Sequence, residues 1–210
     1  MGVQRINALG GVLDVSQLSK TATLELVELS GAPVIASHSN VRALTDVTRN
    51  LSDEEIDSIA AKGGVVHVTP FRGYLYDSKD TELDAKIRQA RIEAGITESY
   101  YYPFELYWEI DDSAVKTKFI GAISALLGEG SVDAVLDHID YLVNRVGIEH
   151  VGFGSDFNHG GGISGLDDAS DALNLTLGLL ERGYSSEDIS KFWGGNFMRV
   201  WLQAQSLVEE

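Results

Sequence analysis

Two side chains that can bind a metal or move a proton directly follow short apolar runs of this 210-residue chain. His38 follows residues 33–36, and Asp156 ends the run 150–156. An imidazole at the end of a strand could be a metal ligand, but a lone histidine is about as often a hydrogen-bonded structural residue. A carboxylate beside glycines could be a general base, although aspartate is also common as a turn residue there.

Arg49 is a candidate for binding a substrate carboxylate, because it lies between the His38 segment and the next helix and a guanidinium can form two parallel hydrogen bonds. Arg42 is a competing candidate on composition alone. Residues 160–162 form a glycine-rich loop, but this loop lacks the lysine and the spacing of a phosphate-binding loop. A phosphate site is therefore discounted.

Four further histidines have weaker claims: His67, His138, His150 and His159. His67 lies inside a predicted strand and could face either a barrel lumen or the helix layer. His138 follows Asp137 on an amphipathic helix and is predicted to face solvent.

The elements that must position these side chains alternate between short apolar strands and helices. Serine residues at 19 and 52 are expected N-caps, and Glu55 completes a capping box with Ser52. This alternation indicates βαβ units and a parallel sheet, with functional groups at the carboxyl ends of the strands. Strands are predicted at residues 12–15, 33–36, 65–68 and 150–156, and helices at residues 19–29, 52–62, 78–94, 132–146, 167–181 and 186–207.

Residues 1–210 are predicted to form a single α/β domain, interrupted by an insertion at about residues 72–128. The aromatic run 100–104 in this insertion could line a pocket, but burial in a subdomain core is favoured. The first residues read as the second half of a helix. The chain is also short for a complete eight-stranded barrel, so a fragment of a longer protein is expected.

Composition excludes several classes of function. The formal net charge of −16 argues against nucleic acid and anionic membrane surfaces as partners. The absence of cysteine excludes disulfides, thiolate ligands and a cysteine nucleophile. No run of 18 or more apolar residues is present, so a soluble protein without a transmembrane segment is expected, in a compartment that the sequence does not give.

Several linked motifs, taken in order, resemble the membrane (renal) dipeptidase family of zinc peptidases. They are LDVSQLS at 13–19, APVIASHS at 32–39, RNL at 49–51, VGIEHVGFGSDF at 146–157 and GGNFMRV at 194–200. The resemblance implies a (β/α)8 TIM barrel of the metal-dependent hydrolase superfamily, of which about the last four βα units would be present. It also implies hydrolysis of dipeptides by water activated on one or two Zn²⁺ ions.

By the same resemblance, His38 matches a metal ligand, Arg49 the arginine that holds the substrate carboxylate, and Asp156 the aspartate that handles protons. Gln17 stands where the family has a second histidine, and its neutral carbonyl oxygen is a weak zinc donor. The family's His-x-Asp pair and bridging glutamate would lie upstream of Met1.

These departures leave an alternative open. The protein could be a relative without peptidase activity, a binding or biosynthetic accessory protein with a degenerate metal site. A half-barrel would also have unpaired strand edges, which would favour self-association or pairing with a missing amino-terminal half.

Overall fold

The computed structural model describes residues 2–96 and 111–208 as an α/β structure in which helices surround a small parallel sheet. The strands are β1 (Ile35–Ala36), β2 (Val65–Val68) and β3 (Val151–Phe153). The helices are α1 (Gly2–Ala8), α2 (Lys20–Leu29), α3 (Asp53–Ala61), α4 (Thr81–Ala94), α5 (Ser113–Leu127), α6 (Val132–Val146), α7 (Ala172–Glu181), α8 (Ser186–Ser190) and α9 (Asn196–Gln205).

The sheet has the order β1–β2–β3, and both pairings are parallel, as the alternation predicted. The predicted strand at 12–15 is reduced to a single parallel bridge between Asp14 and Ile35. Only two backbone hydrogen bonds join this segment to β1, from Val15 N to Ile35 O and from Ile35 N to Leu13 O. The chain leaves the ladder at once because Ser16 N turns back to the Asp14 carboxylate.

Side-chain caps define the helix starts that the sequence indicated. The Ser19 hydroxyl accepts a hydrogen bond from Ala22 N at the start of α2. At the start of α3, the Glu55 carboxylate accepts hydrogen bonds from Ser52 N and from the Ser52 hydroxyl. The predicted helix at 186–207 is instead divided by a wider π-helical turn at Lys191–Gly195, where Gly194 departs from helical geometry.

The two faces of the sheet are covered differently. Val66 and Val68 belong to the main hydrophobic core together with Ile56 of α3 and Ile139 of α6, so they face the helix layer. Side chains alternate along a strand, and Val65 therefore faces the other way, into a small cluster with Ile35 and Val200 of α9. His67 shares that second face, where its ring contacts Phe197 at 6.1 Å between centroids.

The motif at residues 194–200 fixes α9 to the amino ends of the strands. Asn196 Nδ2 donates to the carbonyl oxygens of Ile148 and Val151, at 2.6 and 2.9 Å. The Arg199 guanidinium donates to the carbonyl oxygens of Gly63 and Glu149. The motif therefore supports the end of the sheet opposite to the predicted site.

Between β2 and α6, helices α4 and α5 pack against each other around a second hydrophobic cluster that includes Ile87, Phe119 and Ile123. The aromatic run 100–104 lies outside the described residues. Within 2–96 and 111–208, no single helix is long and apolar enough to cross a membrane; α5 and α6 pass that test only as a pair bent by 82°.

The prediction that His138 faces solvent is wrong. His138 is 2% exposed, and its Nδ1 accepts a hydrogen bond from Val41 N at 3.0 Å. The residue lies three positions after Val135 and four before Leu142, so it falls on the buried stripe of α6. Its neighbour Asp137 is instead on the outer side, where it binds Arg182.

Burial of His138 predicts a specific pH dependence of stability. Desolvation lowers its pKa from 6.5 to about 4. Between these values the unfolded chain binds more protons, so the free energy of unfolding should fall by up to about 3 kcal/mol as the pH drops from about 6.5 to about 4. Urea unfolding at several pH values measures this.

The matched variants are His138→Asn, whose amide oxygen can replace Nδ1 as acceptor, and His159→Asn at an exposed position. The first should lose this part of the pH dependence, and the second should retain it. Equal pH profiles for wild type and His138→Asn would contradict the assignment.

Candidate active site

The predicted site residues lie at the carboxyl ends of neighbouring strand segments. Gln17 follows the bridge at Asp14, His38 follows β1, and Asp156 follows β3. A hydrogen bond holds the first two ends together, because His38 N donates to the Ser16 hydroxyl at 3.0 Å. The parallel sheet thus gathers at one edge the residues that the sequence selected separately.

A continuous chain of hydrogen bonds runs through His38. The Ser37 hydroxyl lies 2.5 Å from Asp14 Oδ2 and 2.7 Å from His38 Nδ1. On the other side of the ring, His38 Nε2 lies 2.8 Å from the Gln17 amide nitrogen. Both ring nitrogens are therefore engaged, and the structure brings Gln17 and His38 into direct contact.

Asp14 anchors this chain to the backbone. Its Oδ1 accepts hydrogen bonds from Ser16 N at 2.9 Å and from Ser37 N at 3.0 Å. Partial exclusion of solvent raises the pKa of the Asp14 carboxyl, but the hydrogen bonds from Ser37 and Ser16 outweigh this effect and leave the pKa below its ordinary value. Asp14 is thus held as a carboxylate between two segments.

Gln17 and Asp156 share an unusual backbone conformation. Among the described residues other than glycine, they alone have φ in the left-handed region, at 69° and 50°. Such a conformation costs about 1 kcal/mol or more and persists where the surroundings enforce it, often at functional sites. Two of the four residues selected from sequence therefore coincide with the two strained positions.

A close backbone contact brings the Asp156 loop toward His38. Gly154 N donates to Val68 O, which continues the ladder of β3 beyond its last residue. A Cβ atom on Gly154 would lie only 1.9 Å from the carbonyl oxygen of Ser37, the residue before His38. Within the described residues, the ring nitrogens of His38 bond Gln17 and Ser37 rather than Asp156.

The loop at residues 41–51 presents Arg49, whose side chain is half-buried. Arg42, the competing candidate, donates from its guanidinium to the carbonyl oxygens of Val47 and Thr48, at 3.3 and 3.1 Å. Asn50 closes the same loop by donating to Thr45 O at 2.9 Å. Arg42 and Asn50 therefore shape the loop that carries Arg49.

A cavity of about 470 Å³ lies beside the glycine-rich loop that follows Asp156. Its wall combines residues 160–162 and His159 with Phe71 and with Ile120 and Ile123 of α5. Arg72 fixes one side, because its Nε donates to Gly162 O at 3.3 Å. The cavity offers both apolar surface and polar groups beside the glycine-rich loop.

The donors present do not by themselves fit a zinc centre. Structural and catalytic zinc sites use at least three histidine, cysteine or carboxylate ligands. No group of three such side chains capable of holding a metal occurs in residues 2–96 and 111–208. At the predicted position there is one imidazole, His38, and the amide nitrogen of Gln17 lies 2.8 Å from its Nε2.

Comparison with known proteins decides the family. The sequence model of the membrane dipeptidase family (peptidase family M19) matches residues 2–210. The chain belongs to the membrane dipeptidase family. Its curated relatives include dipeptidase tcpJ of Claviceps purpurea, 27% identical over 98% of this chain and 37% of that protein, and human dipeptidase 3, 28% identical over 99% of this chain and 33% of that protein.

Solved structures of membrane dipeptidase relatives agree. The probable dipeptidase PvdM of Pseudomonas aeruginosa is 40% identical with a TM-score of 0.82, over 98% of this chain and 53% of PvdM. A metallopeptidase of Rhodobacter sphaeroides, bound to a phosphinate mimic of the dipeptide L-Ala-D-Ala, is 25% identical with a TM-score of 0.71, over 96% of this chain and 45% of that protein. The chain spans only about a third to a half of these relatives' length.

Sequence reasoning missed the roles of Asp14 and Ser37. Both lie within the motifs that carry the family resemblance, at 13–19 and 32–39. The available signal was their spacing: Asp14 precedes Gln17 by three residues, and Ser37 directly precedes His38. Their contact depends on the pairing of two segments, which spacing alone does not give.

The contact at Gly154 predicts that Gly154→Ala destabilises the protein by about 1–3 kcal/mol, because the added methyl group overlaps the Ser37 carbonyl. The matched control is Gly121→Ala in α5, where a Cβ meets nothing within 4 Å. This control should stabilise the protein by about 0.5–1 kcal/mol. Denaturant unfolding of both variants checks this, and equal midpoints for Gly154→Ala and wild type would refute it.

Proposed function

We propose that this chain forms the substrate-binding and proton-transferring part of a metal-dependent dipeptidase built on a (β/α)8 barrel, of which these residues are about the last four βα units. The gathering of Gln17, His38 and the Asp156 loop at one edge of the parallel sheet supports this most directly. In such folds, catalytic groups come from the carboxyl ends of several strands.

Asp156 is the proposed general base and acid. Its carboxylate accepts a proton from the attacking water and returns it to the nitrogen of the leaving amine as the peptide bond breaks. Its left-handed backbone conformation, two residues after Gly154, supports this role because strained residues of this kind are often found at functional sites.

Arg49 is the proposed ligand of the substrate's terminal carboxylate. A guanidinium binds a carboxylate through two parallel hydrogen bonds, and this would select short peptides whose terminus reaches the loop. The structure of the R. sphaeroides relative, bound to a phosphinate mimic of the dipeptide L-Ala-D-Ala, supports dipeptides as the proposed substrate class. The neighbouring cavity is proposed to accept one side chain of the dipeptide.

Zinc is the proposed metal, on the basis of the family. His38 is its proposed ligand from this chain, with Gln17 as a weak second donor. Because the described donors do not complete a zinc centre, the remaining ligands would have to come from residues outside those described. The chemistry assigned to this chain is therefore limited to binding the carboxylate and moving protons.

The contact between Gln17 and His38 favours a second candidate function. An amide hydrogen bonded to the ring nitrogen occupies the lone pair that a metal would take. A family member without peptidase activity, acting as a binding or biosynthetic accessory protein, is consistent with this arrangement. Metal content separates the two candidates: bound zinc supports the peptidase, and its absence from the purified protein supports the accessory role.

Kinetics on the protein that carries this chain test the proposed roles. Asp156→Asn should lower kcat for dipeptide hydrolysis by about 10²–10⁴-fold, the usual contribution of a general acid or base. Arg49→Ala should mainly raise KM, by about tenfold or more, because a charged hydrogen bond to the substrate is lost. Asp168→Asn, on the exposed surface, is the matched control. Unchanged hydrolysis by Asp156→Asn would exclude its proposed role.

The proposed weakness of Gln17 as a ligand predicts that Gln17→His strengthens zinc binding by at least about tenfold, because an imidazole replaces a neutral amide. Titration of both proteins with Zn²⁺, followed by calorimetry, gives the two affinities. Gln17→Ala controls for loss of the amide alone and should not reach the affinity of the histidine variant. Equal affinities for wild type and Gln17→His would show that residue 17 does not contribute a metal ligand.

A further inference from the structure

The hydrogen bonds around His38 have a direction that follows from the chemistry of their ends. Asp14 Oδ2, at one end, is a carboxylate oxygen and can only accept. The Ser37 hydroxyl carries a single hydrogen, so once it donates to Asp14 it can only accept from His38 Nδ1. The Nδ1 atom of His38 must then carry the ring proton.

The opposite side of the ring agrees with this direction. With the proton on Nδ1, the neutral His38 ring leaves Nε2 as an acceptor. The group that faces Nε2 at 2.8 Å is the amide nitrogen of Gln17, which is a donor. The whole chain is therefore consistent with one arrangement, from Gln17 through His38 and Ser37 to Asp14.

We propose that Asp14 is a positioning residue that fixes His38 in the Nδ1-protonated tautomer and so keeps Nε2 unprotonated on the side of the ring that faces Gln17. Nothing about this assignment requires Asp14 to touch substrate, because it acts through Ser37 and His38. Its importance for catalysis rests on the proposed function, since a metal ion or a polarised water can bind only to an unprotonated Nε2.

The position of Asp14 makes the chain of hydrogen bonds to His38 rigid. Its other oxygen accepts from Ser16 N and Ser37 N, so the carboxylate cannot rotate without breaking backbone contacts at two segments. Besides His38 Nδ1, at 2.7 Å, the Ser37 hydroxyl has the Ser16 hydroxyl as a potential acceptor, but that oxygen is 3.5 Å away against 2.5 Å for Asp14. The shorter contact with a charged acceptor determines where the hydroxyl points.

Asp14→Asn tests this with little change in shape. The amide oxygen of the new side chain can still accept from the two backbone N–H groups, while its NH₂ group now donates to Ser37. Ser37 must then donate to Nδ1, and His38 should shift to the Nε2-protonated tautomer, with the Gln17 amide turning to present its oxygen. A reversal of tautomer by one isosteric change is an effect that general destabilisation would not produce.

The experiment is long-range ¹H–¹⁵N correlation spectroscopy of histidine-labelled protein, at a pH well above the ordinary imidazole pKa. The signal of His38 is identified by its absence in His38→Gln. Wild type should be mainly Nδ1-protonated and Asp14→Asn mainly Nε2-protonated. The matched control is Asp168→Asn, because Asp168 also accepts from a serine backbone N–H and hydroxyl, at Ser170, and should leave His38 unchanged.

Ser37→Ala provides a second test if Asp14→Asn does not fold. It removes the link between Asp14 and the ring, so the preference for Nδ1 should fall and both tautomers should appear. The proposal is overturned if wild type is mainly Nε2-protonated, or if the folded variants keep the wild-type tautomer. The spectra need neither substrate nor metal, so this result is independent of whether dipeptides are hydrolysed.

Discussion

The organisation of the candidate site depends on the Asp14 carboxylate, which joins the ends of two neighbouring segments of the sheet. It accepts hydrogen bonds from the backbone N–H groups of Ser16 and Ser37 and from the Ser37 hydroxyl, and both oxygens are used. Parallel strands place these ends side by side but do not orient the side chains beyond them. The carboxylate supplies that orientation, because a charged acceptor with fixed neighbours allows only one direction of donation along the chain to His38.

A second constraint is steric and involves glycine. The peptide at Gly154 passes so close to the Ser37 carbonyl that no side chain fits there, and this approach carries the Asp156 loop to the same edge of the sheet. At the opposite end of the strands, Asn196 and Arg199 donate hydrogen bonds to carbonyl oxygens at the amino ends of β2 and β3. In a parallel α/β fold, stabilising contacts are expected at the amino ends of the strands and functional loops at the carboxyl ends.

This chain belongs to the membrane dipeptidase family, but its described residues do not provide a complete set of metal ligands. The family match extends over residues 2–210, yet the described residues provide a single imidazole where a metal centre needs several ligands. Gln17 is the residue at which this site departs from the metal site that the family resemblance implies. Its amide nitrogen lies 2.8 Å from His38 Nε2 and forms a hydrogen bond with that ring nitrogen.

The sequence alone determined the alternation of strands and helices and the N-caps at Ser19 and Ser52, because periodicity and capping are local properties of the chain. His38, Arg49 and Asp156 were candidates from their positions after the strands and before a helix, and the family resemblance added Gln17 and the roles of all four. The sequence misjudged His138, since a polar residue on an amphipathic helix is buried only when a partner such as Val41 N is available. The tertiary structure alone decided that Asp14 and Ser37 meet and that Gln17 faces His38. Those contacts join segments about 20 residues apart, and hydrogen-bond direction has no counterpart in sequence spacing.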